Sequence, residues 1–460
     1  MELVVFTQLF KNLDFMTTKI TNSPIKRFVL ETYGCQMNTA DSELVEGILI
    51  DLGLEKTQDL DDADAIFLNT CAIRENAEVK VHSRLGNLHK IKQSKPHLII
   101  GVLGCMAQNL KDDLLKNKPY VDIILGPDSY RNIPKLMSRH LVEKKSIVDT
   151  KLSKYEVYED IFPNRGDTFN AWVSIMRGCN KFCSFCIVPF TRGRERSRAV
   201  DSIVTEVKKA VDQGYVEITL LGQNVNSYKH EDKSFADLLL AVSDIPGVKR
   251  IRYTSPHPQD INVELLEVMA SRDNICNYVH FPMQSGSNEV LKRMNRTYTR
   301  EHFYYMAEKI REIMPNCGLS TDIIVGFPGE TDTQFRKTLD LMEKIKFNTA
   351  FTFKYSPRPY TRAEQFSDHI PEQVKKDRLD EMINLQREHT LELNMKKVGN
   401  FEQVLIEKES KKSTNHWAGR TDSNEWVIVE KNHSKIKDII PVEITEATGV
   451  ILRGKEIIGA

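Results

Sequence analysis

No stretch of this chain approaches the roughly 20 consecutive apolar residues that cross a bilayer, so no membrane-spanning helix is expected. Neither sign of charge is in excess: 64 Lys plus Arg stand against 64 Asp plus Glu. Any attraction for a polyanion must therefore come from a local patch. There is no fixed-period repeat and no low-complexity tract, which removes solenoids and propellers from consideration. Residues 1–25 also lack the pattern of a targeting segment. Glu2 stands where a positive start is needed, Thr7 and Gln8 break the apolar stretch, and no Arg precedes Arg27. They read as a disordered extension. Without a signal the chain is expected to be cytoplasmic, in a reducing compartment where its eight cysteines are not disulfides. Their spacing then speaks for metal chemistry, redox chemistry or packing.

Three segments are legible. In the first, residues 26–142, strand patterns at Phe28–Tyr33, Ala65–Leu68, His97–Leu103 and Val121–Leu125 alternate with helical ones. One helix is read from Leu44, Val45, Ile48, Leu49 and Leu52. Such alternation predicts a parallel α/β domain. A polar stretch, Lys151 to Thr168, reads as a linker. In the second segment, 165–395, six strand patterns beginning at Asn170, Glu217, Lys249, Tyr278, Ser320 and Asn348 alternate with helices. Six β/α units predict an incomplete barrel, because eight are needed to close the full one. A charged helix near 372–397 leads to the third segment, 397–460, where only short strands remain. A small antiparallel β-barrel is expected there.

The cysteines carry the chemistry. Arg177-Gly178-Cys179-Asn180-Lys181-Phe182-Cys183-Ser184-Phe185-Cys186 spaces three of them C-x3-C-x2-C, directly after the first barrel strand. Three thiolates on one loop can hold three irons of a 4Fe-4S cube and leave the fourth open to a small chelating substrate. A structural zinc site would need a fourth ligand, and no His or Cys stands nearby to supply it. Cys35, Cys71 and Cys105 each fall just past a strand of the first segment, 36 and 34 residues apart. All strand C-termini of a parallel sheet lie along one edge, so these three can converge as a second tri-liganded site. Cys276 and Cys317 have no partner at ligand spacing and are assigned to packing.

The C-x3-C-x2-C loop resembles that of the radical S-adenosylmethionine (SAM) superfamily. Both triads together resemble the methylthiotransferases, over nearly the whole chain. Gly34-Cys35-Gln36-Met37-Asn38, Asn69-Thr70-Cys71-Ala72-Ile73-Arg74-Glu75 and the run ending Thr191-Arg192-Gly193-Arg194-Glu195-Arg196-Ser197-Arg198 look like the MiaB-type tRNA methylthiotransferases. The resemblance implies two 4Fe-4S clusters, a radical-forming one on Cys179, Cys183 and Cys186 and a sulfur-carrying one on Cys35, Cys71 and Cys105. It implies two molecules of SAM, one as methyl donor and one as radical source. The expected product is 2-methylthio-N6-dimethylallyladenosine at position 37 of tRNA. Gly222, Gln223, Gln284, Ser285, Asp322 and Gly326, at strand ends, are expected to wall in SAM. One string departs from the family: Tyr360 stands where Gly is usual, which puts that position's backbone geometry at issue.

The third segment resembles a TRAM RNA-binding domain through Gly419-Arg420-Thr421-Asp422 and Thr445-Glu446-Ala447-Thr448-Gly449, although its charge is nearly balanced. A basic surface is expected at Arg177 to Arg198, where six Lys or Arg accompany one Glu. Arg192, Arg194, Arg196 and Arg420 are expected to meet RNA phosphates. The expected partners are the tRNA anticodon stem-loop and an electron donor such as flavodoxin or ferredoxin, with the chain a monomer and no membrane involved. Sister enzymes of this architecture act on threonylcarbamoyladenosine of tRNA or on a ribosomal-protein aspartate. A non-catalytic iron–sulfur RNA-binding protein is the alternative from another class.

Overall fold

Six parallel strands carry the first part of the chain, in the order β2-β1-β3-β4-β5-β6. They are β1 (Arg27–Tyr33), β2 (Glu55–Lys56), β3 (Ala65–Thr70), β4 (Ile99–Gly104), β5 (Ile123–Leu125) and β6 (Ile147–Asp149). The computed structural model describes residues 25–72, 75–166 and 168–457, except for the side chains of 75–77. The extension 1–24 and two residues of a cysteine motif, Ile73 and Arg74, lie outside it. Every residue of β3 and β4 is buried, as central strands covered on both faces require. Helices α1 (Gln36–Asp51), α2 (Glu75–Ser94), α3 (Cys105–Asn117) and α4 (Ile133–Glu143) supply those covers. One core gathers Phe28, Phe67 and Leu103 with Leu44, Val45 and Leu49. The other gathers Ile66, Leu68 and Ile100 with Val81, Leu85 and Leu88. At about 1.5–3 kcal/mol for each large side chain, these two cores hold the sheet edge that matters below.

The stretch read as a linker behaves differently. Up to Gly166 it belongs to the same unit as the sheet. Tyr158 is buried, donates to the Pro127 carbonyl at 3.0 Å and stacks on Tyr130. Arg131 ties down Glu156 and Asp160. Polar composition suggested a tether; its ion pairs make it a strap. The segment Phe190–Gly193 also belongs to this unit, and the remaining residues form a second one.

In the second unit six parallel strands form two half-sheets. One has the order β11-β10-β7, built from β7 (Asn170–Ser174), β10 (Glu217–Leu221) and β11 (Arg250–Tyr253). The other has the order β12-β13-β14, built from β12 (Tyr278–His280), β13 (Gly318–Val325) and β14 (Thr349–Lys354). Between β7 and β10, β8 (Met176–Arg177) pairs antiparallel with β9 (Arg196–Ser197) around the cysteine loop. A parallel bridge, Ile251 to Ile275, joins the two halves, giving the incomplete six-strand barrel. Its outer face packs on helices, with Ile218, Ile251, Val279, Leu319 and Ile323 in one core with Phe335 of the helix Asp332–Ile345.

Helix α5 (Glu372–Met395) then leads to a closed barrel, in the order β15-β16-β17-β19-β18. Its strands are β15 (Phe401–Ser410), β16 (Ser413–Arg420), β17 (Trp426–Glu430), β18 (Ile439–Ala447) and β19 (Leu452–Glu456). The β16–β17 turn of this small barrel closes the N-terminal end of the large one. Asn277 N–H donates to Asp422 Oδ2 at 2.9 Å, and Arg252 donates to the Thr421 carbonyl at 2.8 Å. A Cβ on Gly318 would stand 2.2 Å from the Ser423 carbonyl oxygen. Among the described residues no helix is long and apolar enough to cross a membrane.

Candidate active site

Three cysteines stand in a row at the C-terminal edge of the first sheet. Register pairs Tyr33 with Thr70 and Thr70 with Gly104, so Cys71 and Cys105 follow the ladder by one residue and Cys35 by two. Neighbouring strands are about 4.8 Å apart, which brings the three onto one short stretch of edge. Cys71 and Cys105 are buried and Cys35 is partly exposed. Cys35 caps α1 and Cys105 opens α3, positions where helix N–H groups favour a thiolate. Burial pushes the Cys105 thiol up to about 11, Arg192 opposes the shift, and the charges of Cys71, Asp41 and Cys35 add to it.

Polar side chains that sequence reasoning did not single out fasten this edge. Asn69 Nδ2 donates to the Asn38 carbonyl and to Ser42 Oγ, both at 2.9 Å. Asn38 Nδ2 donates to the Thr70 carbonyl at 3.2 Å, and Thr70 Oγ1 to the Leu103 carbonyl at 2.6 Å. The motifs around Cys35 and Cys71 are thus partly fasteners. The legible signal was polar residues set among apolar neighbours on buried elements, Asn69 after Leu68 and Asp41 before Leu44. Gly104 has φ +91°, and a Cβ there would meet Asn69 Oδ1 at 2.5 Å; only glycine serves.

The second triad lies on one loop. The Cys186 N–H donates to the Cys183 carbonyl at 3.0 Å. Burial pushes the Cys179 thiol up to about 11 and the Cys186 thiol up to about 12, with Cys183 adding to both. Gln223 Oε1 accepts from the Gly178 N–H, and Glu195 Oε1 from the Asn180 N–H. Arg296, not foreseen, is half-buried and donates from Nη1 to Cys183 Sγ at 3.2 Å.

Among the described residues no group of three or more His, Cys, Asp and Glu is placed to hold a single metal ion. Each triad is instead a set of three soft thiols without a carboxylate, the donor type of iron–sulfur groups, and the residues fit such a group. Three amides at strand ends β10 and β12 have buried atoms without hydrogen-bond partners: Gln223 Nε2, Asn224 Oδ1 and Gln284 Oε1. Buried polar atoms need partners, and a polar ligand such as SAM suits them. Asp322 is partly exposed, with Oδ2 3.3 Å from His280 Nε2. Gly222 packs against Met176.

Two of the expected SAM residues have contacts of their own within the chain. Ser285 Oγ lies 3.4 Å from Thr338 Oγ1. Gly326 gives its N–H to Glu330 at 2.7 Å and backs onto Lys375. Strand register sets His280, Ser320, Asp322 and Ile324 on one face with Thr349, Phe351 and Phe353. Phe351 and Phe353 are 49% and 47% exposed there.

The basic run is placed otherwise than expected. Arg192 is buried and its Nη2 donates to Asp41 Oδ2 at 2.7 Å. Arg196 is buried against the Arg194 carbonyl, and Arg198 pairs with Glu206 at 2.6 Å. Lys181 pairs with Asp260 at 2.7 Å. Arg420 bonds Glu407, Asn424 and Glu217 at the barrel floor. Counting charge along a chain does not tell a surface stretch from one threaded through the interior. Arg194 is exposed, stacked 4.3 Å over Phe182. Tyr360 adopts φ +70°, the left-handed geometry in which glycine is usual.

Family models match in three places. The Radical SAM superfamily spans residues 173–342, the Uncharacterized protein family UPF0004 spans 27–126, and the TRAM domain spans 396–457. The chain is similar to the tRNA-2-methylthio-N(6)-dimethylallyladenosine synthase of Bacteroides fragilis, 46% identical over 94% of this chain and 96% of that protein. It is also 46% identical to the protein of that name from Chloroherpeton thalassium, with the same coverage. Among solved structures, the radical S-adenosylmethionine methyltransferase TsrM from Kitasatospora setae shares the fold. It superposes with TM-score 0.54 at 13% identity, covering 74% of this chain and 77% of that one.

Proposed function

As this chain belongs to the tRNA-2-methylthio-N(6)-dimethylallyladenosine synthase family, we propose that it methylthiolates C2 of N6-dimethylallyladenosine at position 37 of tRNA. Its radical SAM region implies a 4Fe-4S cluster and SAM. The proposal adds a second cluster, with Cys179, Cys183 and Cys186 holding the radical-forming one and Cys35, Cys71 and Cys105 the sulfur-carrying one. When bound, these groups and two molecules of SAM supply a 5′-deoxyadenosyl radical that breaks the C2–H bond and the methylated sulfur that replaces the hydrogen.

The chain's own side chains do the positioning. Gln223 and Glu195 hold the loop backbone that presents Cys179. Gly222, Gln223, Gln284 and Asp322 line SAM, while Ser285 and Gly326 shape that wall from behind. Phe351 and Phe353 offer a flat apolar surface on which an adenine and its branched apolar substituent can stack; one such contact is worth about 1–3 kcal/mol. Two lysine-over-tryptophan pairs on the small barrel, Lys408 on Trp426 and Lys431 on Trp417, join exposed Arg194 as contacts for the anticodon stem-loop. A flavodoxin- or ferredoxin-type donor, a monomeric chain and a cytoplasmic site of action complete the proposal.

The observation that supports it best is the pairing in one chain of the C-x3-C-x2-C loop with three cysteines in a row on a sheet edge. The test is anaerobic incubation of the reconstituted protein with SAM, a reductant and tRNA from cells lacking the modification, read as digested nucleosides by mass spectrometry. A 2-methylthio-N6-dimethylallyladenosine peak is expected. Methylthio-threonylcarbamoyladenosine would move the substrate to the sister branch, and deoxyadenosine without a modified nucleoside would overturn the tRNA assignment.

A further inference from the structure

Arg192 stands where an arginine is costly. Its side chain is 4% exposed, and its segment, Phe190–Gly193, packs as part of the N-terminal unit. Nη2 donates to Asp41, whereas Nη1 is buried with no hydrogen-bond partner. Leaving a buried donor unmet costs about 1–3 kcal/mol, more when the group is charged. Balancing Asp41 alone does not require the second donor. The groups whose charge acts most strongly on the guanidinium include Asp41, Cys105, Tyr130 and Cys35. Two of those four are thiols of the strand-end triad. Asp41 lies on α1, the helix that Cys35 caps. It also accepts from Tyr130 Oη at 3.4 Å, so the carboxylate that aims Arg192 is itself held from a second side.

We propose that Arg192 is a positioning residue for the sulfur-carrying site: its free Nη1–H donates to a sulfur of the iron–sulfur group held by Cys35, Cys71 and Cys105. The inference rests on the two-cluster reading above. A cationic N–H donor at a cluster sulfur stabilises the more negative, reduced state and raises the reduction potential. In a buried site that effect is not screened as it would be in water. The other triad shows the same device in place, with Arg296 Nη1 on Cys183 Sγ. Each set of thiols is thus served by one guanidinium, buried at Arg192 and half-buried at Arg296. Asp41 tempers the charge of Arg192 and fixes the plane of its fork; lysine, lacking a fork, could meet one acceptor but not keep both aligned.

The experiment uses the full chain with Cys179, Cys183 and Cys186 all changed to Ala, so that only the strand-end cluster can form. Iron content and an EPR-monitored redox titration are then compared for this background and for Arg192→Met, Arg192→Lys and Asp41→Asn within it. The midpoint potential is expected to fall in Arg192→Met, fall less in Arg192→Lys and rise in Asp41→Asn. Opposite signs for two partners of one ion pair are not produced by a packing role. If Arg192→Met fails to fold, Arg192→Lys and Asp41→Asn still carry the sign. An unmoved potential with full iron, or shifts of one sign that follow loss of thermal stability, would overturn this inference alone. A background protein that takes up no iron would overturn the two-cluster reading and this inference together.

Discussion

The two cysteine triads reach the same donor set by opposite routes. Cys179, Cys183 and Cys186 are neighbours in the chain, so a single loop presents them and backbone bonds of that loop shape it. Cys35, Cys71 and Cys105 are gathered only by the parallel register of β1, β3 and β4. The first triad depends on local turns braced by Gln223, Glu195 and Arg296. The second depends on the whole sheet, and on Asn38 and Asn69 pinning the strand ends. A local motif is legible from its own string, whereas a topological one becomes legible only once the strands that carry it are read.

The sharpest break of this comparison is chemical. Cys183→Ala should take deoxyadenosine release below detection by chromatography, together with methylthiolation. Cys71→Ala should leave deoxyadenosine release measurable while methylthiolated tRNA disappears. If Cys71→Ala still gave product, the division of labour would collapse.

The next break is structural. Asn69→Ala strands buried partners and should destabilise the protein by about 1–3 kcal/mol, seen in denaturant unfolding, with iron lost from the sheet-edge triad first. Glu195→Ala, at a partly exposed loop contact, should cost less than about 1 kcal/mol and leave the sheet-edge iron in place. Phe353→Ala sharpens the picture at the substrate end. Loss of one stacking surface of about 1–3 kcal/mol should raise the KM for tRNA about 5- to 150-fold, measured in steady-state assays.

The smallest expected effect concerns pH. Burial, with Arg296 and Lys181 nearby, lowers the His257 pKa to about 2. Below its ordinary value near 6.5 the unfolded chain takes up a proton that the folded chain refuses, so stability is full above about pH 6.5 and falls as the pH drops. His257→Gln should flatten thermal stability between pH 7 and 5, which calorimetry would show.

Fold class was readable because strand and helix patterns alternate through the first two segments, with continuous apolar runs at β3 and β4, and only short strands follow α5. The edge strands Glu55–Lys56 and Ile147–Asp149 were too short to carry a pattern. The cysteines were readable from spacing and from their place just beyond strands. The role of arginines was not. Arg192 and Arg194 are two residues apart, yet one is buried against Asp41 and the other lies exposed over Phe182. No property of either residue or of their neighbours' composition separates them. That difference arises from where the chain threads, which is tertiary information.

The turn that closes the large barrel's N-terminal end carries a lesson about timing. Arg252 and Glu217 are buried there, pair with each other, and find further partners in Thr421, Asp422 and Arg420. The ribosome delivers that stopper only after α5 and the first strands of the small barrel have emerged. Until then the six-strand scaffold waits with an open floor, its Arg252–Glu217 pair made at 2.9 Å but the further hydrogen bonds of both side chains unmet. An enzyme that handles a freely reactive radical thereby withholds the closed floor of its barrel from every chain whose synthesis stops short of Asp422.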